Sequence, residues 1–236
     1  MTTALVLGGA GGIGGAITRR LAANHDVTIT HHAHTERADA LAAELGTNVR
    51  SVRADVTTEE GVLVAFDAAE EQGELAVVVD CVGGWDYPRI TELTSEQIND
   101  SLSLNLVSAL LILREATKRV ADGGRIVMVS SAAARVAPAR QSTYAAAKAG
   151  LEAASRVAAK EVARRGVTVN VVRPGATDTE YMRGITSDKA IEAMASSNAM
   201  RRLGTPEDIA GVVSLLLLPD AGWITGDIID ATGGLA

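Results

Sequence analysis

Apolar residues along this chain form short unbroken runs, separated by longer stretches with helical periodicity. A run of about four to eight apolar residues is typical of a buried β-strand, whereas apolar residues three or four positions apart indicate a helix. The pattern predicts strands at residues 4–7, 27–30, 49–53, 75–79, 125–129, 167–172 and 224–229. It predicts helices at residues 16–23, 36–45, 58–71, 95–120, 142–165, 187–195 and 207–217.

The regular alternation of strands and helices predicts an α/β fold with a single doubly wound parallel sheet of the Rossmann type and helices on both faces. We expect one domain over residues 1–236, with the mixed polar segment around 176–203 forming a lid. Ligands of such folds bind at the carboxyl ends of the strands. Candidate residues follow the predicted strands there: the glycines of 8–14, His32, Asp55, Gly83, Ser131 and Pro174.

A glycine-rich turn joins the first predicted strand to the first predicted helix. Its residues fit two dinucleotide-binding spacings and include Gly8, Gly11, Gly12, Ile13 and Gly14. The free N–H groups of a helix N-terminus suit a pyrophosphate, and glycines let the backbone approach it closely. The alternative is a turn whose glycines serve packing only. No Lys-Ser/Thr pair follows these glycines, which excludes the phosphate loop of nucleoside triphosphatases.

Histidines follow the second predicted strand, where a dinucleotide fold meets the adenosine ribose. An acidic residue at this place would accept a hydrogen bond from the 2′-hydroxyl of NAD, but the sequence has His31, His32 and His34. Without a carboxylate a 2′-phosphate is not repelled, and His32 can donate to it, so NADP (NADPH) is favoured and NAD is the alternative. A metal site is the weaker hypothesis, because no third ligand accompanies His32 and His34. Solvated histidines are the other alternative.

Tyr144 and Lys148 stand four residues apart in a predicted helix, so their side chains share one face. A nearby ammonium favours the phenolate, and we therefore expect Lys148 to lower the pKa of Tyr144. Ser131 closes a predicted buried strand and can bring a hydroxyl to the same place. Asn105 lies inside the long predicted helix 95–120, where asparagine is unfavourable. We expect either a side-chain hydrogen bond to nearby backbone or a local break in that helix.

Composition narrows the class of protein. The chain has 236 residues, 47% of them apolar, and a net charge of −7, which argues against nucleic acid or an anionic membrane as a partner. The single cysteine, Cys81, allows no disulfide framework and no cysteine-based metal cluster. No apolar run reaches the length of a membrane span, and we expect no signal peptide. These features favour a cytoplasmic protein.

The sequence resembles the short-chain dehydrogenase/reductase family over essentially its whole length, and the 3-oxoacyl-carrier-protein reductase-like branch in particular. The matching features are Gly8-xxx-Gly12-Ile13-Gly14, Asp55-Val56, Gly83, Asn105, Ser131, Tyr144-xxx-Lys148, Pro174-Gly175-xxx-Thr179 and the segment Arg202-Leu-Gly-Thr-Pro-Glu-Asp-Ile. The resemblance implies hydride transfer from NADPH to a ketone or 3-oxoacyl-type carbonyl. The alternatives are an NAD-dependent dehydrogenase of a hydroxylated metabolite and a non-catalytic nucleotide-sensing protein.

The resemblance also assigns roles. It implies that Tyr144 is the general acid, that Ser131 holds the carbonyl oxygen, that Lys148 grips the nicotinamide ribose, and that Asn105 seats a relay water. The glycine turn would carry the pyrophosphate, and Asp55 and Val56 would frame the adenine. The implied nicotinamide contacts are Pro174, Gly175, Thr177 and Thr179, and Gly83 is a further expected cofactor-binding residue. The expected substrate-lining residues are Trp85, Ala133, Tyr181 and Met182.

The sequence departs from the family pattern at several positions. Leu7 stands where the family usually has Thr before the first glycine, and Gly11 lies near the place of a basic residue found in many NADP-dependent members. Asp80-Cys81-Val82-Gly83 replaces Asn-Asn-Ala-Gly. The partner we expect is a small-molecule carbonyl substrate, either a simple ketone or a thioester, and the family resemblance implies a homotetramer.

Overall fold

The computed structural model describes residues 2–235 and shows a seven-stranded parallel β-sheet. The strands are β1 (Thr3–Leu7), β2 (Asp26–His31), β3 (Val49–Arg53), β4 (Leu75–Asp80), β5 (Arg125–Val129), β6 (Thr168–Pro174) and β7 (Ile228–Ala231). Their spatial order is β3-β2-β1-β4-β5-β6-β7. The predicted fold class is confirmed, and the strand order reverses between β1 and β4, where doubly wound sheets open a ligand crevice.

Helices cover both faces of this sheet. They are α1 (Gly12–Leu21), α2 (Thr35–Leu45), α3 (Glu59–Glu70), α4 (Ser95–Leu102), α5 (Ser108–Arg119), α6 (Ala133–Val136), α7 (Ser142–Val162), α8 (Glu180–Ile185), α9 (Asp188–Ser196) and α10 (Pro206–Leu217). One face carries α1, α2 and α10, and the other carries α3, α5 and α7. Because both faces are covered, every residue of β1 is buried, as expected for a central parallel strand.

Two apolar clusters hold these layers together. Phe66, the only phenylalanine of the chain, is fully buried on the α3 side with Leu5 and Met128. Ile17 and Ile209 fill the opposite side. Burying side chains of this size contributes about 1.5–3 kcal/mol each. The core therefore fixes the sheet rigidly, and the strand ends can hold a site in place.

Helix starts follow from their capping residues. The Thr58 hydroxyl accepts a hydrogen bond from the Gly61 N–H at 3.1 Å and caps α3. Thr205 and Asp208 form a reciprocal capping box before α10, with Pro206 in its first turn. These local signals explain why the predicted starts of both helices lie within a residue of the observed ones.

The structure differs from the predicted elements in three places. The helix predicted at 95–120 contains a π-helical turn, Ser103–Val107, between α4 and α5. The last strand begins at Ile228, because Gly226 adopts a φ of +73° in a turn whose N–H bonds to the Val169 carbonyl. The short helices α6 and α8 were not predicted, since four to six residues are too few to show a helical period.

Among residues 2–235 no helix combines the length and the apolar character that a membrane crossing requires.

Candidate active site

A cavity of about 850 Å³ lies at the carboxyl ends of the strands. With the exception of Asn105, the structure places every predicted site residue on its wall. These residues are Gly8, Gly11, Gly12, Ile13, Gly14, His32, Asp55, Val56, Gly83, Trp85, Ser131, Ala133, Tyr144, Lys148, Pro174, Gly175, Thr177, Thr179, Tyr181 and Met182. Residues far apart in sequence meet here because parallel strands end at the same edge of the sheet.

The glycine turn after β1 is shaped so that side chains do not fit. A Cβ on Gly14 would lie 2.3 Å from the Gly8 carbonyl oxygen, and one on Gly12 would lie 2.8 Å from a Thr179 methyl carbon. Gly8 has a φ of +71°. The Gly8 N–H donates a hydrogen bond to the Thr30 hydroxyl of β2 at 3.1 Å. Thr30 thus anchors the turn, whereas the apolar side chain of Leu7 can make no hydrogen bond to it.

The end of β2 brings basic side chains to the cavity. His32 and Arg37 both line it. Arg37 pairs with Glu180 of α8 at 2.8 Å, which links the β2 side of the cleft to the segment 176–203. His31 is buried, and its burial lowers the pKa of the imidazole. No acidic residue follows β2 at this position in the sequence, as noted above.

The end of β3 presents Asp55 and Val56 beside the histidines. The Thr57 hydroxyl and N–H both donate to the Asp55 carboxylate, at 2.6 and 3.0 Å. These hydrogen bonds lower the pKa of Asp55, the side-chain bond having the largest effect. Asp55 is therefore ionised at neutral pH and fixed in orientation.

Tyr144 lies in the first turn of α7 and is 8% exposed. Burial raises the pKa of its phenol to about 12, and a hydrogen bond with the Ser131 side chain acts in the opposite direction. The Ser131 hydroxyl also accepts from the Ala133 N–H at 3.1 Å, which orients it at the start of α6. Tyr144 is therefore a protonated phenol at neutral pH, next to a fixed hydroxyl.

Lys148 is buried one turn further along α7. Its ammonium donates to the carbonyl oxygens of Val82 and Val129, at 3.1 and 3.0 Å. Burial lowers the pKa of Lys148, and the charge of Asp80 opposes that shift. The expected lowering of the Tyr144 pKa by Lys148 is absent from this structure: burial dominates the phenol, and the ammonium is held by two backbone carbonyls.

Asp80 was not predicted as a site residue. It ends β4, is 1% exposed, and accepts a hydrogen bond from the Val82 N–H at 2.9 Å. Burial raises the pKa of its carboxyl to about 6, and the Lys148 charge opposes this. The sequence does contain a signal for this residue: Asp80 stands at the end of a strand, where the family usually has asparagine. The sequence does not show that this carboxylate lies near Lys148.

Asn105 lies behind the cavity wall, 1% exposed, in the π-helical turn. Its amide nitrogen donates to the carbonyl oxygens of Gly84 and Ser101, at 2.9 and 3.0 Å, and its amide oxygen accepts from the Gly84 N–H at 3.1 Å. Both expectations for Asn105 are thus met, the backbone hydrogen bond and the local break. π-Turns of this kind are frequent at functional sites.

Aromatic side chains gather beside Tyr144. The Trp85 ring centroid lies 5.6 Å from that of Tyr144 and 5.0 Å from that of Tyr181, the latter pair edge to face. The Tyr181 hydroxyl donates to the Trp85 carbonyl at 2.8 Å and accepts from its N–H at 3.1 Å. Trp85 and Tyr181 therefore line the cavity and also pack on one another.

A buried ion pair supports helix α7, which carries Tyr144 and Lys148, on the side away from the cavity. Glu152, one turn beyond Lys148, accepts two hydrogen bonds from Arg173 of β6, at 2.9 and 2.7 Å, and one from the Ser130 hydroxyl at 2.8 Å. Arg173 also donates to Asp230 of β7 at 2.9 Å. This network connects Ser130, which precedes Ser131, to α7, the helix that carries Tyr144. Hydrophobic periodicity does not predict such polar contacts.

The strand order, the glycine turn and the Ser131–Tyr144–Lys148 group can be compared with known proteins. A family model described as "Enoyl-(Acyl carrier protein) reductase" matches residues 8–236. The chain belongs to the short-chain dehydrogenase/reductase family. It is 34% identical over 240 residues to the 3-oxoacyl-[acyl-carrier-protein] reductase MabA of Mycobacterium tuberculosis, covering 98% of this chain and 91% of MabA.

Solved structures of the family superimpose closely. A dehydrogenase/reductase from Sinorhizobium meliloti gives a TM-score of 0.94 at 34% identity, covering 99% of this chain and 94% of that one. The angucycline C-6 ketoreductase LanV, solved with bound NADP, gives 0.93 at 31% identity, covering 99% and 95%. The protein is therefore an oxidoreductase enzyme of the short-chain dehydrogenase/reductase type.

The residues present fit a nicotinamide dinucleotide. Gly11 caps α1 without a side-chain hydrogen bond, so the first N–H groups of that helix are free for phosphate oxygens. A Cβ at Gly12 or Gly14 would clash with neighbouring atoms, so both positions require glycine. Without side chains there, a ligand can approach the backbone of the turn closely. As a short-chain dehydrogenase/reductase, the enzyme combines this cradle with a protonated phenol at the other end of the same cavity.

Proposed function

We propose that this enzyme reduces a ketone with NADPH and that Tyr144 is the general acid. The observation that carries the proposal is the position of Tyr144: a buried phenol in the cavity that begins at the glycine turn, with Ser131 and Lys148 on the same wall. At neutral pH this phenol carries a proton to donate. Because proton transfer is most efficient when the pKa of the donor lies near the operating pH, we infer that Lys148 lowers the pKa of Tyr144 once the cofactor is bound.

In the proposed reaction, the carbonyl group of the substrate is reduced to an alcohol. A reduced nicotinamide bound in the cavity supplies the hydride to the carbonyl carbon. Ser131 donates a hydrogen bond to the carbonyl oxygen and fixes its position. The Tyr144 hydroxyl gives its proton to that oxygen as the C=O π bond breaks, so the product is an alcohol and Tyr144 becomes a phenolate. Solvent returns one proton to Tyr144 at the end of each turnover.

Lys148 and Asn105 support this proton transfer in our proposal. Both side chains lie against Gly83, since a Cβ there would be 3.0 Å from the Lys148 ammonium nitrogen and 2.9 Å from the Asn105 amide oxygen. We infer that the ammonium stabilises the Tyr144 phenolate and holds the nicotinamide ribose once the cofactor is bound. Asn105 orders the loop at Gly84 and seats a water that connects Lys148 with solvent.

We infer a preference for NADP from the β2 end of the cavity. His32 and Arg37 line it, and the residues directly after β2 are histidines, with no acidic residue that would accept a hydrogen bond from the 2′-hydroxyl of NAD. His32→Asp introduces such a carboxylate and should move the ratio of kcat/KM for NADPH over NADH towards NADH by at least about tenfold. An unchanged ratio would show that His32 does not contact the ribose.

Other parts of the proposal concern the lid and the assembly. We infer that residues 176–203 form a lid, supported by the contacts of Glu180 with Arg37 and of Tyr181 with Trp85. We also infer a homotetramer, since Val107, Leu110 and Val157 are exposed apolar residues on the helical layer. Light scattering of the purified protein tests this assembly. The unpaired Cys81 supports a cytoplasmic location.

The experiment that tests the function follows loss of reduced-nicotinamide absorbance with simple ketones, β-ketoesters and a 3-oxoacyl thioester, with NADPH and NADH in parallel. We expect turnover with NADPH. Turnover with NADH alone would support the alternative, an NAD-dependent dehydrogenase. Cofactor binding without turnover of any carbonyl compound would contradict the reductase assignment and support a nucleotide-sensing role.

A further inference from the structure

The substrate end of the cavity contains four of the six aromatic residues of the chain. The sequence contains three tyrosines, two tryptophans and one phenylalanine. All three tyrosines and Trp85 line this cavity, whereas Phe66 is in the core and Trp223 is 98% exposed. We call Trp85, Tyr87, Tyr144 and Tyr181 the aromatic cluster. In a chain that is only 3% aromatic, this concentration beside the catalytic phenol indicates a ligand with matching chemistry.

Hydrogen bonds fix the aromatic cluster through its polar atoms, so the cluster offers a ligand in the cavity mainly the apolar surface of its rings. The Trp85 indole N–H donates to the Tyr87 hydroxyl at 2.9 Å, and that hydroxyl lies 3.3 Å from the Thr186 hydroxyl. The Tyr181 hydroxyl is bound to the Trp85 backbone, as described above. Because these polar groups already have partners, a ligand gains little by hydrogen-bonding to them and most by packing against the rings.

The remaining wall at this end is mostly apolar and carries little charge. Its apolar residues include Leu104, Val136, Met182 and Met194, and its polar residues, among them Ser197 and Asn198, are uncharged. Apart from Lys148, no formally charged side chain of the described residues contributes to this group. Arg37, Asp55 and Glu180 line the other end, and Arg140 is outside, donating to the Tyr87 carbonyl at 2.6 Å. A carboxylate or phosphate on the substrate would lose its hydration here without gaining a partner.

The geometry also limits where the carbonyl stands on the substrate. The centroids of Trp85 and Tyr144 are 5.6 Å apart, about the width at which aromatic rings pack together. Because the two rings are neighbours, a flat aromatic ring in contact with Trp85 lies beside Tyr144, and a carbonyl in a ring fused to it is held near the phenol. A carbonyl on a long flexible chain would not be positioned by this contact.

Resting on the proposed function, we propose that the substrate is an uncharged ketone whose carbonyl lies in a ring fused to a flat aromatic ring, and that this aromatic ring packs on Trp85. Trp85 is then the residue that determines specificity, and Tyr181 holds it in place. Reduction of such a ketone consumes one reduced nicotinamide and one proton, as in the chemistry above, and leaves the aromatic ring unchanged.

Two ketones of equal ring size test this proposal: 2-tetralone, which contains a benzene ring, and the saturated 2-decalone. With NADPH we expect kcat/KM to be about tenfold higher for 2-tetralone, the equivalent of one well-placed aromatic contact. Trp85→Leu should abolish most of this preference, and Trp85→Phe should restore part of it. Trp223→Leu is the matched control, because that tryptophan is exposed and outside the cavity, and it should keep the full preference.

A binding measurement separates this inference from the proposed function. Trp223→Leu leaves Trp85 as the only tryptophan, so its fluorescence reports occupancy of the substrate end without any turnover. We expect 2-tetralone to quench Trp85 at lower concentration than 2-decalone. Equal kcat/KM values for both ketones, or a preference unchanged in Trp85→Leu, or better turnover of a 3-oxoacyl thioester, would overturn the inference while leaving a reductase. Absence of turnover with every carbonyl compound would contradict the proposed reductase function. Quenching of Trp85 fluorescence would still show whether the cavity prefers the aromatic ketone to the saturated one.

Discussion

The Lys148 ammonium donates to the Val82 carbonyl oxygen at 3.1 Å, and so ties the catalytic helix to the loop after β4. That loop carries Gly83, whose missing side chain leaves room for both Lys148 and Asn105. The ammonium is buried, and with Val129 it has two carbonyl partners in fixed positions. The charge most important to the proposed chemistry is therefore positioned before any ligand binds, which is the property expected of a preorganised site.

Gly83→Ala tests this close packing. A Cβ at residue 83 would lie 2.9 Å from the Asn105 amide oxygen and 3.0 Å from the Lys148 nitrogen, so one of the two side chains must move. We expect kcat to fall at least about tenfold, the consequence of displacing a positioned group by a fraction of an ångström.

The control for that variant is Gly211→Ala in α10. A Cβ there meets only an Arg20 side-chain nitrogen at 3.7 Å, an ordinary contact. Alanine inside a helix is favoured over glycine by about 0.5–1 kcal/mol, so this variant should be as active as the parent and slightly more stable. Equal activity of both variants would show that the space at Gly83 is not needed for turnover.

Glu152→Gln tests the ion pair behind the catalytic helix. The side chains of Glu152 and Arg173 are 5% and 12% exposed, so removing the carboxylate leaves a largely buried guanidinium short of negative charge. We expect the free energy of unfolding in urea to fall by about 3 kcal/mol. We also expect kcat to fall, because Ser130 and Lys148 adjoin the lost contact.

Asp122→Asn provides the comparison for Glu152→Gln. Asp122 pairs with Arg165 at 2.7 Å but is 77% exposed, and such surface pairs contribute about 1 kcal/mol or less. If both variants lost the same small amount of stability, the Glu152 network would be no more than a surface-type interaction.

Asp80 predicts a pH dependence of stability. Its carboxyl pKa is raised from 3.8 to about 6 in the folded protein, so folding favours the protonated form. The stability contributed by protonated Asp80 is present below the unfolded pKa and is lost as the pH rises through about 6. Asp80→Asn removes this loss, so the variant should be more stable than the parent at about pH 8, by at most about 3 kcal/mol.

The difference between Asp80→Asn and the parent should shrink towards about pH 4, where the parent carboxyl is also neutral. Urea unfolding at the two pH values measures it. A variant that is less stable than the parent at about pH 8 would mean that attraction between Asp80 and the Lys148 ammonium outweighs the cost of burying the carboxylate.

Local sequence signals predicted most of the framework. Residues 125–129 were predicted at their observed bounds, because an apolar run between turn residues defines a buried strand without reference to distant contacts. The carboxyl-edge rule then brought the glycine turn, Ser131 and Pro174 to one cavity. The sequence could therefore predict the features that follow from strand order and hydrophobic periodicity.

Features that depend on side-chain contacts across the sheet could not be predicted. Tyr181 meets Trp85 across 96 residues, and Arg173 meets Glu152 between neighbouring elements, without any periodic signal. The raised pKa of Tyr144 in this structure could not be predicted for the same reason. Helical spacing shows that two side chains share a face, but not that backbone carbonyls hold one of them or that burial raises the pKa of the other.

The most direct test of the central claim compares Tyr144→Phe with the parent enzyme, measuring kcat for ketone reduction and the NADPH dissociation constant from nicotinamide fluorescence. Phenylalanine keeps the ring that packs on Trp85 and removes only the hydroxyl that donates the proton. We predict that kcat falls by at least about a hundredfold, the range typical of a lost general acid. The NADPH dissociation constant should change by less than about threefold, because the rest of the cavity wall is intact. A variant that retains the turnover of the parent would contradict the assignment of Tyr144 as the general acid.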